Sequence, residues 1–113
     1  MHSCAPDVPV ELLAGAGFTA ISFDLSLARP DDIWAESFEQ GTDLWPGVVP
    51  STDATGVTDS ALVSRIAAFF GRFGFDEEAY AGRLVVTPTC GLAGASPAWA
   101  REALVLAQRV AAG

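Results

Sequence analysis

Histidine is almost missing from this chain and cysteine is scarce: 113 residues hold one histidine, His2, and two cysteines, Cys4 and Cys90. The paired Cys-x-x-Cys spacing of structural zinc sites is absent. Basic residues are few, six against fourteen acidic ones, and the net charge of -8 excludes a nucleic-acid backbone or an anionic membrane surface as partner. No apolar run reaches the roughly 20 residues of a membrane span, and the first residues lack the charged and apolar regions of a secretory signal. The expected compartment is therefore cytoplasmic and reducing, where paired cysteines are more often ligands or catalytic groups than bridges.

Apolar material is plentiful. Half of the chain is hydrophobic and eleven residues are aromatic, seven Phe, three Trp and one Tyr. Met1 to Cys4 reads as the tail of a strand. Asp7 is a candidate N-cap, with Pro9 in the first turn of a short helix that Gly15 and Gly17 stop. Phe18 to Phe23 is an apolar run suited to a strand buried on both faces, ending in Asp24. Arg29-Pro30-Asp31-Asp32 opens a second helix, on which Ile33, Trp34 and Phe38 share a face before Gly41. Leu44 to Val49 reads as another strand despite Pro46 and Gly47, followed by a loop over Pro50-Ser51-Thr52-Asp53.

Thr58 caps the clearest helix, with Leu62, Ile66, Phe69 and Phe73 at helical spacing and Gly74 as its stop. Its aromatic stripe is expected to be core. Asp76-Glu77-Glu78 reads as a solvated turn, and Leu84 to Thr87 as a buried strand with Cys90 just past its end. Ser96-Pro97 starts the last helix, lined by Trp99, Ala103, Leu106, Ala107 and Val110.

Strands that alternate with helices imply an α/β fold with a parallel sheet. His2 and Cys4 lie two apart on a strand tail, so they share a face. Imidazole and thiolate are ligand types that zinc prefers. A solvated terminal histidine and buried or disulfide-bonded cysteines are the competing readings of the same residues. Cys4, Asp24 and Cys90 each follow a strand and precede a helix, at the edge where α/β folds build their sites. That coincidence favours a metal site.

His2-Ser3-Cys4-Ala5, Ala20-Ile21-Ser22-Phe23-Asp24 and Val85-Val86-Thr87-Pro88-Thr89-Cys90-Gly91-Leu92 resemble the C-terminal, catalytic part of cobalamin-independent methionine synthase. The resemblance runs essentially the length of the chain, through Gly47-Val48-Val49-Pro50-Ser51 and Ala95-Ser96-Pro97-Ala98-Trp99-Ala100-Arg101, and is nearest to the short, single-barrel members. It implies a (β/α)8 TIM barrel, of which residues 1–113 are the C-terminal half, since a full barrel takes about 250 residues. On this expectation the chain begins inside the family's fifth strand, and the strands that hold substrate precede it.

The resemblance also implies zinc as cofactor, homocysteine as substrate, and transfer of a methyl group from a methylated folate to the homocysteine thiol, giving methionine. Carried over residue by residue, the metal ligands are His2, Cys4, Asp24 and Cys90. The long enzymes have glutamate where Asp24 stands, with two more residues in the spacing. They also carry a histidine beyond the seventh strand where this chain has Ser51-Thr52-Asp53, which leaves another methyl donor open. Zinc coordination deprotonates a thiol that is mostly protonated when free, and only the thiolate is a competent nucleophile. The alternative is a non-catalytic zinc- or thiol-binding module. Half a barrel by itself is expected to be inactive, because it has open edges and lacks most of the groups that orient the reactants.

Overall fold

The computed structural model of the protein describes residues 2, 3 and 7–112. Four parallel strands lie side by side in the order of the chain: β1 (His2–Ser3), β2 (Ala20–Asp24), β3 (Asp43–Val49) and β4 (Thr87–Pro88). Helices α1 (Val10–Gly15), α2 (Asp32–Glu39), α3 (Asp59–Gly71), α4 (Glu77–Tyr80) and α5 (Pro97–Ala112) fill the crossovers and the end. The sheet curls with helices on one side, as half of a (β/α)8 barrel.

The core forms where the apolar face of each strand meets the helices. In β2, Ile21 and Phe23 are fully buried, and the Phe23 ring meets Trp34 of α2 at 4.9 Å and Phe69 of α3 at 5.2 Å between centroids. Phe23 therefore points to the helix side, and the strand period of two turns Ser22 and Asp24 to the inner side. Paired positions of parallel neighbours share a face. His2, Ser22 and Trp45 thus form one inner row, and Asp24, Gly47 and Thr87 the next.

The helix starts follow capping chemistry. The side chains of Asp31, Thr58 and Asp76 accept the N–H groups of Ile33, Ala61 and Ala79, respectively, at the starts of α2, α3 and α4. Asp76-Glu77-Glu78 is solvent-exposed as expected, but it starts a helix in place of a turn: Asp76 caps the one-turn helix α4, whose Tyr80 stacks on Phe70 at 4.3 Å. At α1 the cap position is Pro9, with no side-chain hydrogen bond, so neither Asp7 nor an in-helix Pro9 plays the expected part. Phe18 lies outside β2 and is exposed.

The largest correction is β4. Leu84 to Val86 fall outside it, and Val85 is 41% exposed. The cause is Pro46. Leu25 N–H donates to the Gly47 carbonyl at 3.0 Å, so Gly47 turns its polar groups to the β2 side and the preceding residue turns toward β4. Pro46 has no N–H to offer there, and pairing with β4 begins only at Gly47 with Thr87.

Above that point β3 bulges: Gly47 pairs with Thr87 and Val49 with Pro88, two steps against one. The extra residue explains why Val48 and Val49 in succession are both buried. Gly47 is fixed by contact. A Cβ there would lie 2.6 Å from the Phe23 carbonyl oxygen and 2.8 Å from that of Pro88, so both neighbouring backbones occupy the space a side chain would need.

Candidate metal centre at the C-terminal edge of the sheet

The candidate ligands are distributed over three strands. His2 stands in β1 on the inner face, and its Nδ1 lies 2.8 Å from the Ser22 hydroxyl. A hydrogen bond on one ring nitrogen is the usual way a ligating histidine is oriented for metal on the other. Asp24 ends β2, one inner position further on, and is 8% exposed. Its Oδ1 accepts from both the backbone N–H and the hydroxyl of Ser26, so half of the carboxylate is held by its own turn. Cys90 is an exposed free thiol two residues beyond β4. Cys4 lies outside the described residues.

The donor chemistry suits zinc: imidazole, thiolate and carboxylate are its protein ligands. Among the described residues no three His, Cys, Asp or Glu side chains converge as a ready metal cluster. Asp24 and Cys90 stand at or past C-terminal strand ends, His2 stands one inner row below Asp24 on the outermost strand, and the three do not form a closed nest. Two further polar atoms in the inner rows, Trp45 Nε1 and Thr87 Oγ1, are buried with no hydrogen-bond partner. The inner face is therefore polar and incompletely satisfied.

Loops at this edge are tied together. Thr89 N–H donates to the Val49 carbonyl at 2.8 Å and the Thr89 hydroxyl to Ser51 Oγ at 3.1 Å. Ser96 N–H donates to Asp53 Oδ1 at 2.8 Å, and the Trp99 indole N–H to the Pro50 carbonyl at 2.9 Å. The two Ser96 hydrogen bonds, backbone first and then side chain, hold the Asp53 carboxyl below its ordinary value. The sequence marks 50–53 as a loop, and Ser51-Thr52-Asp53 as the place where long family members carry a histidine, but not as a tie between loops. The available signal was an Asp and two hydroxyl residues directly after a strand's C-terminal end.

The opposite edge carries a different kind of contact. Arg83 Nε pairs with Asp43 at 2.7 Å at the start of β3, its Nη1 donates to the Phe38 carbonyl, and its guanidinium lies 3.8 Å over the Phe38 ring. No helix among the described residues is long and apolar enough to cross a membrane.

No curated protein and no solved structure matches the chain. The family model described as the catalytic domain of cobalamin-independent synthase matches residues 1–113. A parallel half-barrel is consistent with part of that domain, and the chain belongs to the catalytic-domain family of the cobalamin-independent methionine synthases.

Proposed function

We propose that this chain carries the zinc-binding part of a methyltransferase that moves a methyl group from a methylated folate, or another donor, to the thiol of homocysteine. His2, Cys4, Cys90 and Asp24 would hold the metal. The observation that carries the reading is that His2, Asp24 and Cys90 come from three different strands or strand ends, yet all lie toward one edge of one parallel sheet. When bound, zinc supplies a Lewis acid that keeps the substrate thiol as the nucleophilic thiolate.

The remaining work falls to the chain. Ser22 orients the His2 ring through Nδ1, so that ligation would fall to Nε2. Cys4 and Cys90 supply the soft donors that give the site its preference for zinc over harder cations. Asp24 is the weakest ligand of the four, because Ser26 already holds Oδ1 and only the other oxygen can turn to a metal without opening that turn. It is the ligand that an incoming thiol would displace, which keeps a position open for substrate. The unpaired Trp45 and Thr87 atoms on the inner face support binding of a polar molecule there.

The test is metal analysis of the chain made in zinc-supplemented medium, with methionine formation followed in parallel. One zinc per chain is expected, with loss of about tenfold or more in affinity for Cys90→Ser. A smaller loss is expected for Asp24→Asn, with Asp24→Glu tolerated. Unchanged zinc content in Cys90→Ser would sink the site. Because half a barrel alone is expected to be inactive, turnover is also assayed after co-folding with the N-terminal half of a related full-length enzyme, and zinc without turnover in that mixture, homocysteine and donor both present, would leave a metal-binding module in place of the enzyme.

A further inference from the structure

The start of α5 is an incomplete capping box. In the complete motif the N-cap hydroxyl accepts the N–H of the third helical residue, and a Glu or Gln at that third position reaches back to the N–H of the cap. Here Ser96 Oγ accepts from Trp99 N–H at 3.1 Å, which supplies the first half. The third residue is Trp99, which has no acceptor to return. Asp53, 43 residues earlier in the chain, takes the Ser96 N–H in its place.

This exchange has a second effect. The segment from Cys90 to Ala95 runs between Thr89, fixed to Val49 and Ser51, and Ser96, fixed to Asp53. Within it, Leu92–Gly94 forms a single tight turn closed by Ala95 N–H to the Leu92 carbonyl. Gly94 sits against Thr52, whose methyl would be 3.7 Å from a Cβ at that position. The loop bearing Cys90 is thus anchored at both ends to one short stretch, 49–53, that comprises the last residue of β3 and the loop after it. Trp99 adds a third tie through Pro50.

We infer that Asp53 is a positioning residue: by completing the α5 capping box from another loop, it fixes the far end of the Cys90 segment and so sets where the Cys90 sulfur stands at the sheet edge. Its importance for metal rests on the function proposed above. The hydrogen-bond role itself does not.

The experiment uses the whole chain with Asp53→Ala and Asp53→Asn, the second keeping an oxygen acceptor of the same length. Two quantities are read. Amide hydrogen exchange of residues 91–96 is measured without metal, and zinc affinity is measured by competition with a chelator. Asp53→Ala is expected to speed exchange of that segment, while β2 and α3 exchange as in the parent chain, and to weaken zinc about tenfold, within the range of outer-shell substitutions. Asp53→Asn should recover most of both. The inference is overturned if Asp53→Ala leaves exchange of 91–96 unchanged, or raises exchange evenly along the chain. If the parent chain binds no zinc, the proposed function fails, and the exchange data still decide the role of Asp53.

Discussion

The centre of the sheet and its two flanks are built on different terms. β2 and β3 pair over five successive positions and hide Ile21, Phe23, Leu44 and Val48 beneath α2 and α3. β1 and β4 have two residues each. The centre is held by apolar burial, which is non-directional and large. The β4 flank is held by single hydrogen bonds among loops, each contributing about 0.5–1.5 kcal/mol net. Of the candidate ligands, Asp24 belongs to the centre, whereas His2 and Cys90 belong to the flanks. A metal that joined them would tie weak edges to a strong middle, and its binding energy would count as folding energy for those edges.

The contrast can be broken from the centre outward. Phe23→Ala removes the ring that Trp34 and Phe69 both touch, and a fully buried Phe of this kind costs about 3–5 kcal/mol. Urea unfolding should show the whole chain losing stability. A loss confined to one flank would mean that the centre is not the shared core described. Gly47→Ala is the next test, because its methyl would press on the carbonyls of Phe23 and Pro88 at once. Overpacking of this sort costs about 1–3 kcal/mol. Hydrogen exchange should rise most at the Thr87 and Thr89 amides, since the short strand can be pushed away more easily than β2.

The smallest effect sharpens the flank alone. The folded pKa of Asp53 is depressed by its bonds from Ser96. Its contribution is therefore complete above the unfolded carboxylate pKa and is lost as pH falls through the lower, folded value. Acidification should release the Ser96 amide, seen as a shift of its NMR resonance, before the central strands respond. The same titration in Asp53→Asn should show no such step.

These tests bear on what a sequence can reveal. Elements whose signals are local were legible: Asp31, Thr58 and Ser96 each mark a helix start, and the apolar period of α3 marks its buried face. β3 was legible despite Pro46 and Gly47, and both residues turn out to have positional reasons. What escaped was non-local. The length of β4 depends on which side of β3 the imino nitrogen of Pro46 faces, and the role of Asp53 depends on a helix start 43 residues away. Cys4, Asp24 and Cys90 stand out as candidates by their position after strands, and His2 joins them by ligand type and by the family resemblance, while the bond from His2 to Ser22 could not be read from either residue alone.

One consequence of the strand order concerns how the chain is made. Each strand in the sheet lies beside the one synthesised just before it, β1 to β2 to β3 to β4. No described strand must wait for a distant partner, so a nascent chain can add one βα unit at a time to a growing edge as it leaves the ribosome, in the way domains fold during synthesis. The five-position pairing of β2 with β3 completes once Gly47 has emerged. Every later unit docks onto a template already in place. Ribosome-bound chains arrested far enough downstream for Gly47 to clear the exit tunnel expose the central pair, those in which Asp43 is still inside the tunnel do not, and protease resistance of the two sets would reveal the step.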